Sequence, residues 1–263
     1  MGSPLILLLL LALPVGESSG AAPTPTATPP PISALLNGVI ARDAQTQGEL
    51  KSMTYDEQVH TERLDAAGHV TQHQDLRLIV RPGAKQELEV VSVRGDHLPA
   101  DPDEAAQEAK GKEMQRRQQT LDLKALSTRF NLTLQGTGTD LGTTAYIVAF
   151  EPRPDQPYHS QTEKVLNQLH GRIWVRASDD TILRTEATLL HPVQVAWIFA
   201  SITRLDFHYE LPVGGSEYGP AWLQTFVEVH APLIAIRQRQ RIDMTDFRPR
   251  APLPLAATGL HSR

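Results

Sequence analysis

The side chains best equipped for chemistry in this sequence are its histidines, a scatter of aspartates and glutamates, and an alternating run of arginines near the C-terminus. If the turn Asp65-Ala66-Ala67-Gly68 sets the register of the strands on either side, His60 and His73 face one another, a geometry able to hold a metal ion. A third ligand is not evident: His69 is four residues from His73, about 13 Å away along a strand and beyond chelation distance. Two solvated strand histidines fit the pattern as well, and no metal is expected. Asp179, Asp180 and Asp206 are accounted for by turn chemistry or by solvated faces. No Gly-x-Ser-x-Gly, His-Glu-x-x-His or Walker pattern occurs. Gly136, Gly138 and Gly142 are not followed by the Lys-Ser or Lys-Thr of a phosphate loop and read as a hairpin turn. The expectation is a protein without a catalytic centre and without a cofactor.

Two sets of residues point instead to binding. Arg237, Arg239 and Arg241 share one face of the final strand and make a basic stripe, which is either a solvated outer face or a docking site for an acidic partner or a lipid headgroup. The second set is apolar. In the hairpin Gly171–Ala187, a turn centred on Ser178-Asp179 sets Val175 against Ile182 on one side of the sheet and Trp174 against Leu183 on the other. Further on, Val193, Val195, Trp197, Phe199, Leu205, Phe207 and Tyr209 share one parity of a long extended region. Apolar groups on both faces require cover on both faces, by helices, a second sheet or a bound apolar molecule. Trp174, Leu183, Trp197, Phe199 and Trp222 are therefore the candidate lining of an apolar cavity.

The elements that must position these residues can be read in order. Leu35, Leu36, Val39 and Ile40 recur at helical spacing, with Ser33 as a candidate cap and Gly48 as a stop. Ser52–Arg63, His69–Arg81 and Glu87–Arg94 are three strands of a meander, with turns at 65–68 and at Pro82-Gly83. Residues 102–119 read as a helical insertion: Asp101-Pro102-Asp103-Glu104 opens it and Arg116 and Arg117 close it, in keeping with the helix dipole. Its apolar face is thin, with Ala105, Ala109 and Met114, so the insertion reads as exposed. Strands follow at Asn131–Gln135 and Thr144–Phe150, a polar helical turn at 159–170, the hairpin, and strands at Trp222–His230 and Leu233–Met244.

The ends and the composition set the compartment. Leu5–Leu13 is an unbroken apolar run, too short for a bilayer span of roughly 20 residues, and Ser19-Gly20-Ala21 offers small residues for cleavage, so 1–21 reads as a signal peptide. Ala22–Pro31 carries five prolines and reads as a Pro/Thr-rich linker, 32–250 as one β-rich domain, and 251–263 as a tail. With no cysteine, export is not coupled to disulfides, which favours a bacterial periplasm or cell exterior. Glu17 is the one charged side chain in 1–21, so its removal takes the formal net charge from −5 to −4. Such a balance does not favour nucleic acid.

A helix ending before a Tyr-bearing first strand (Ser52-Met53-Thr54-Tyr55), a β-meander and a late Gly-Arg-Ile-Trp-Val…Ile-Leu-Arg-Thr-Glu hairpin together resemble bacterial outer-membrane lipoprotein-sorting proteins, in the wider group of the periplasmic carrier LolA. The resemblance covers roughly 32–250. It implies a mainly β, α+β fold: a single strongly curved antiparallel sheet, or half-barrel, whose helix-covered concave side holds acyl chains. Its functional implication is a non-enzymatic periplasmic protein whose partner is a lipid acyl chain or lipoprotein. The alternative is a regulatory or sensor module of the same fold, similar to RseB-type sensors, that binds a membrane-anchored protein.

Overall fold

The computed structural model describes residues 29–81, 83, 87–117, 124–196, 200–211 and 222–249. The chain forms α1 (Ile32–Leu50), the meander β1 (Met53–Leu64), β2 (Val70–Arg81) and β3 (Glu87–Gly95), and then α2 (Pro102–Arg117) and α3 (Lys124–Arg129). It continues through β4 (Phe130–Asp140), β5 (Thr143–Pro152), α4 (Gln161–Leu166), β6 (Leu169–Arg176) and β7 (Ile182–Leu189). The last strands are β8 (Val193–Ala196), β9 (Ala200–Glu210), β10 (Trp222–Ala231) and β11 (Ile234–Pro249). All belong to one antiparallel sheet in the order β3-β2-β1-β11-β10-β9-β7-β6-β5-β4, with β8 paired to β9 off this path. The final strand slots between β1 and β10 and so joins the first meander to the later strands.

The strongly curved half-barrel expected above is not what forms. The sheet is large, antiparallel and mixed with helices, but it is neither closed nor strongly curled, and its edges β3 and β4 stand at opposite ends of the strand order. The physical reason lies in how its apolar face is covered. Helix α1 lays Leu35 and Val39 on Phe130, Val148, Ile173 and Val175 at one end of the sheet. At the other end Ala109 of α2 meets Val59, Leu76, Leu78 and Ile242. Helices thus remove from water much of the apolar surface that curling would otherwise have to hide. On the same parity as these core residues lie buried Thr225, Gln238 and Gln240, a polar interval in the apolar face.

Helix α1 starts at Ile32, with Ser33 inside it, and runs past Gly48 to Leu50. It presses on the β6–β7 turn: a Cβ at Gly38 would lie 1.9 Å from Asp180 Oδ2, and Arg42 Nε donates to Thr181 Oγ1 at 3.3 Å. In that turn Asp180 takes φ 58°, a conformation aspartate tolerates better than most residues.

Helix α2 occupies nearly the expected span but is anchored rather than exposed on its inner side, where Ala105, Ala109 and Glu113 are buried. Its thin apolar face is supplemented by charge. Arg116 Nη2 donates to Glu57 Oε1 at 2.7 Å, Arg117 pairs with Glu57 as well, and both arginines bond Glu113. Arg117 Nη1 also donates to the Tyr55 hydroxyl at 3.2 Å. Burial pushes the Glu57 carboxyl and the Tyr55 phenol up. Burial also opposes the charge of Arg116 and Arg117, but the facing carboxylates outweigh it and hold both guanidiniums firmly protonated.

The extended region expected over 193–209 is instead a hairpin. Val193 pairs with Ile202 and Ala196 with Ala200, so the chain reverses between β8 and β9. The glycines placed in a turn are also redistributed: Gly136 and Gly138 belong to β4, Gly136 at a register shift with φ 149°, and the turn falls at Leu141-Gly142.

Candidate functional site

Alternation along each strand sends the other half of the side chains to the face opposite the helices. Cross-strand register assembles them into rows. One row runs Trp174, Arg184, Glu210, Trp222, Asp243. The next runs Arg172, Glu186, His208, Gln224, Arg241, His60, Asp75. A third runs Thr188, Asp206, Phe226, Arg239, Glu62, His73. Glu228 with Arg204 and Arg237 on either side continues the pattern.

The aromatic rings on this face are covered by guanidinium and imidazole groups from neighbouring strands. Arg184 lies 4.7 Å over Trp174, Arg204 lies 4.7 Å over Phe226, and Arg241 lies 4.7 Å over Trp222. Trp222 also stacks on His208 at 4.5 Å and 9°. The cover required for apolar groups on both faces is therefore supplied here by the long stems and planar heads of arginines.

The charges are layered. Arg204 is 60% exposed while its partner Asp206 is 7% exposed. Arg77 and Arg248 are 51% and 60% exposed, and the Asp56 they share is 6% exposed. Arg239 is 45% exposed over a Glu62 at 15%. In these groups guanidiniums are outermost and carboxylates lie at the base, whereas Arg241 with Asp243, and Arg237 with Glu228, are about equally exposed. Arg239 and Arg241 are each held through Nε and Nη2, by Glu62 and Asp243, and Arg237 through Nη2 by Glu228. Nη1 of these three has no partner among the described residues. The carboxylates orient the arginines without using up their donors.

Histidines lock into the same lattice. His60 Nδ1 donates to Asp75 Oδ1 at 2.5 Å, and its Nε2 is 3.2 Å from Glu62. The Asp75 bond outweighs burial and raises the His60 pKa. Burial alone would raise Glu62 and Glu228, but bonds from His60 and Arg239 to the first, and from His230 and Arg237 to the second, hold both below the usual carboxylate range.

His60 and His73 do not face one another. The β1–β2 turn pairs Leu64 with Val70, and a register shift at Arg63/Leu64 displaces β2 by one residue more, so Asp75 lies opposite His60 and Glu62 opposite His73, whose ring bonds Asp96. Among the described residues no group of three or more His, Cys, Asp or Glu is placed to hold a metal ion.

Of the candidate lining residues, Trp174 and Trp222 lie on this open face, in one row with Arg184 and Glu210 between them. Arg237, Arg239 and Arg241 share it, about 6.8 Å apart along β11. Val175 pairs with Ile182 as expected, but a register shift sets Arg184 opposite Trp174. Leu183 is buried with Ala145 and Leu211. Trp197 and Phe199 lie outside the described residues. Sequence reading missed the Arg184, Arg204 and His208 partners, because only register could bring them over the rings.

An apolar cavity does lie beneath α1, lined by Ile32, Leu35, Leu36, Val39, Leu132, Val148, Ile173 and Val175. Its volume is about 20 Å³, near the space of one water and far below the roughly 300–1,000 Å³ of small-molecule pockets.

No protein-family model and no curated protein sequence matches the chain. Among solved structures it is similar to a DUF1329 family protein from Desulfovibrio piger, with 15% identity over 85% of this chain and 95% of that one and a TM-score of 0.35. A putative outer membrane lipoprotein-sorting protein domain from Vibrio parahaemolyticus is similar at 10% identity, over 84% and 94%, with a TM-score of 0.35. A LolA superfamily protein from Nitrosomonas europaea is similar at 10% identity, over 83% and 94%, with a TM-score of 0.29. Likeness of this degree assigns the chain neither a family nor a function.

Proposed function

We propose that the chain is a non-enzymatic, exported binding module of the regulatory or sensor kind, which engages an acidic surface of a membrane-anchored partner protein through the open face of its sheet. The observation that carries this reading is the layering of charge: Arg204, Arg239, Arg77 and Arg248 stand outermost over less exposed carboxylates, and Arg184, Arg204 and Arg241 lie over Trp174, Phe226 and Trp222. Arginine and tryptophan dominate the energetics of protein interfaces, and a braced guanidinium loses little freedom when a partner carboxylate meets it. The cavity beneath α1 would admit an acyl chain only if α1 lifted from Val148 and Ile173.

The test is a photo-crosslinking residue at Gln224, introduced into the chain in its native host. The expected result is one protein adduct that disappears when Arg239→Glu and Arg241→Glu are combined. An adduct indifferent to both reversals, or none, sinks the partner reading. Stoichiometric lipid in organic extracts of the exported protein, with saturable fatty-acid uptake after its removal, would restore the carrier reading.

A further inference from the structure

The large apolar side chains left exposed are not spread at random. Among the described residues Tyr158, Leu190 and Leu233 lie in connections, and Val70 and Ile234 are the first residues of β2 and β11, all at one end of the sheet, whereas Val91 and Met114 lie within β3 and α2. Register fixes the placement. Leu64 opposite Arg237 sets the β1–β2 turn beside the β10–β11 turn, and Thr188 opposite Asp206 brings the end of β7 to the same side. Leu233 is fully exposed and Ile234 58% exposed, adjacent residues at the tip between two long strands. Left in water, two such side chains forgo the transfer free energy that burial would return.

Around this tip stand Arg204, Arg237 and His230 from the open face and exposed Arg63 from β1. The carboxylates here are engaged: Glu228 by Arg237 and His230, Asp206 by Arg204, and Asp65 by the amides of Ala67 and His69 in its own turn. The end of the sheet therefore offers projecting apolar points among ion pairs, with the guanidiniums of Arg63 and Arg204 reaching solvent, the latter above a buried Asp206.

We propose that this end docks on a bilayer containing anionic phospholipid, with Leu233 and Ile234 entering the headgroup boundary and Arg204 and Arg237 meeting phosphates. A protein partner would need a continuous complementary patch, whereas separated apolar points with flanking cations suit a deformable lipid interface. The docking would stand the open face, with Arg239 and Arg241 farther along β11, within reach of a membrane-anchored partner. It rests on the open-face reading only for what it brings near: Leu233 and Ile234 belong to the tip alone and Arg239 and Arg241 to the open face alone, so these two pairs of variants separate the readings, while Arg204 and Arg237 belong to both.

The experiment sediments the exported full chain with vesicles of phosphatidylcholine, alone or mixed with phosphatidylglycerol. Combining Leu233→Asp with Ile234→Asp should lower partition onto mixed vesicles about tenfold or more. Combining Arg204→Ala with Arg237→Ala should lower it several-fold on mixed vesicles only, and added salt should mimic that change. Arg239→Glu with Arg241→Glu should abolish partner crosslinking and leave Leu233→Trp fluorescence still quenched by bromine-labelled lipid. Exposure of both tip residues predicts an unchanged unfolding midpoint for their aspartate variant. The proposal is overturned if the wild-type chain does not sediment with either vesicle, if the tip variant sediments equally well, or if light scattering shows that the tip variant converts a dimer to a monomer.

Discussion

A methyl group at Gly171 would sit 2.0 Å from the Glu186 carbonyl oxygen and 2.4 Å from Ala187 Cβ, so the glycine that opens the Gly-Arg-Ile-Trp-Val motif is fixed by the close approach of β7. Gly171→Ala should destabilise the protein by about 1–3 kcal/mol through overpacking, read as a lower urea midpoint; an unchanged midpoint would show that β7 yields freely. His60 supplies a second test at this scale. Its raised pKa means that its contribution to stability is present below the unfolded value of 6.5 and is lost as pH rises through the folded value. Asp75→Asn should lower the His60 titration seen by NMR, since the Asp75 bond is the largest cause of the shift. Glu62 and Glu228, held low, act in the other direction: their contribution is present above 4.5 and is lost as pH falls through their lowered values. A stability profile rising steadily from pH 5 to pH 3 would contradict that assignment.

At the scale of elements, α2 tests how charge substitutes for apolar contact. Two alanines cannot hold a helix of this length, and two glutamates and two arginines complete the attachment. Glu113→Ala would leave Arg116 and Arg117 sharing Glu57 with a net buried positive charge, at a cost of about 3–5 kcal/mol. Removing Arg117 together with Glu113 restores the balance and should cost less than Glu113→Ala alone, a non-additivity measurable by a double-mutant cycle. Additive effects would show that the four charges are independently solvated. Hence the network, rather than the alanines, decides whether α2 stays docked. Its thin apolar face was legible in the sequence, but Glu57 lies in β1, separated from α2 in the chain by β2 and β3.

For the whole molecule, the open sheet separates two surfaces with different tasks: a helix-covered face that is core, and an arginine-layered face proposed to bind. Replacing Trp222 by Ala should remove the platform under Arg241 and beside His208 and weaken partner crosslinking severalfold, with less loss of stability than a core aromatic, whose truncation costs about 3–5 kcal/mol. Equal crosslinking in that variant would mean that the aromatic layer plays no part in recognition.

What the sequence determined by itself was local. Apolar periodicity located α1, Gly68 located the β1–β2 turn, and alternation placed Arg237, Arg239 and Arg241 on one side of β11, because these signals depend on neighbours within one element. The tertiary structure decided what covers each face. A single register shift at Trp174/Val175 put Arg184, not Leu183, across from Trp174, and a wider β1–β2 turn that pairs Leu64 with Val70, together with a shift at Arg63/Leu64, parted His60 from His73. Side chains change partners with every slipped residue, and no local pattern records the slip. The curvature was decided there too: whether an apolar face is hidden by curling or by helices depends on where α1 and α2 come to rest, and α2 is held by Glu113, Arg116 and Arg117 meeting a Glu57 that lies 59 residues before Arg116 in the chain.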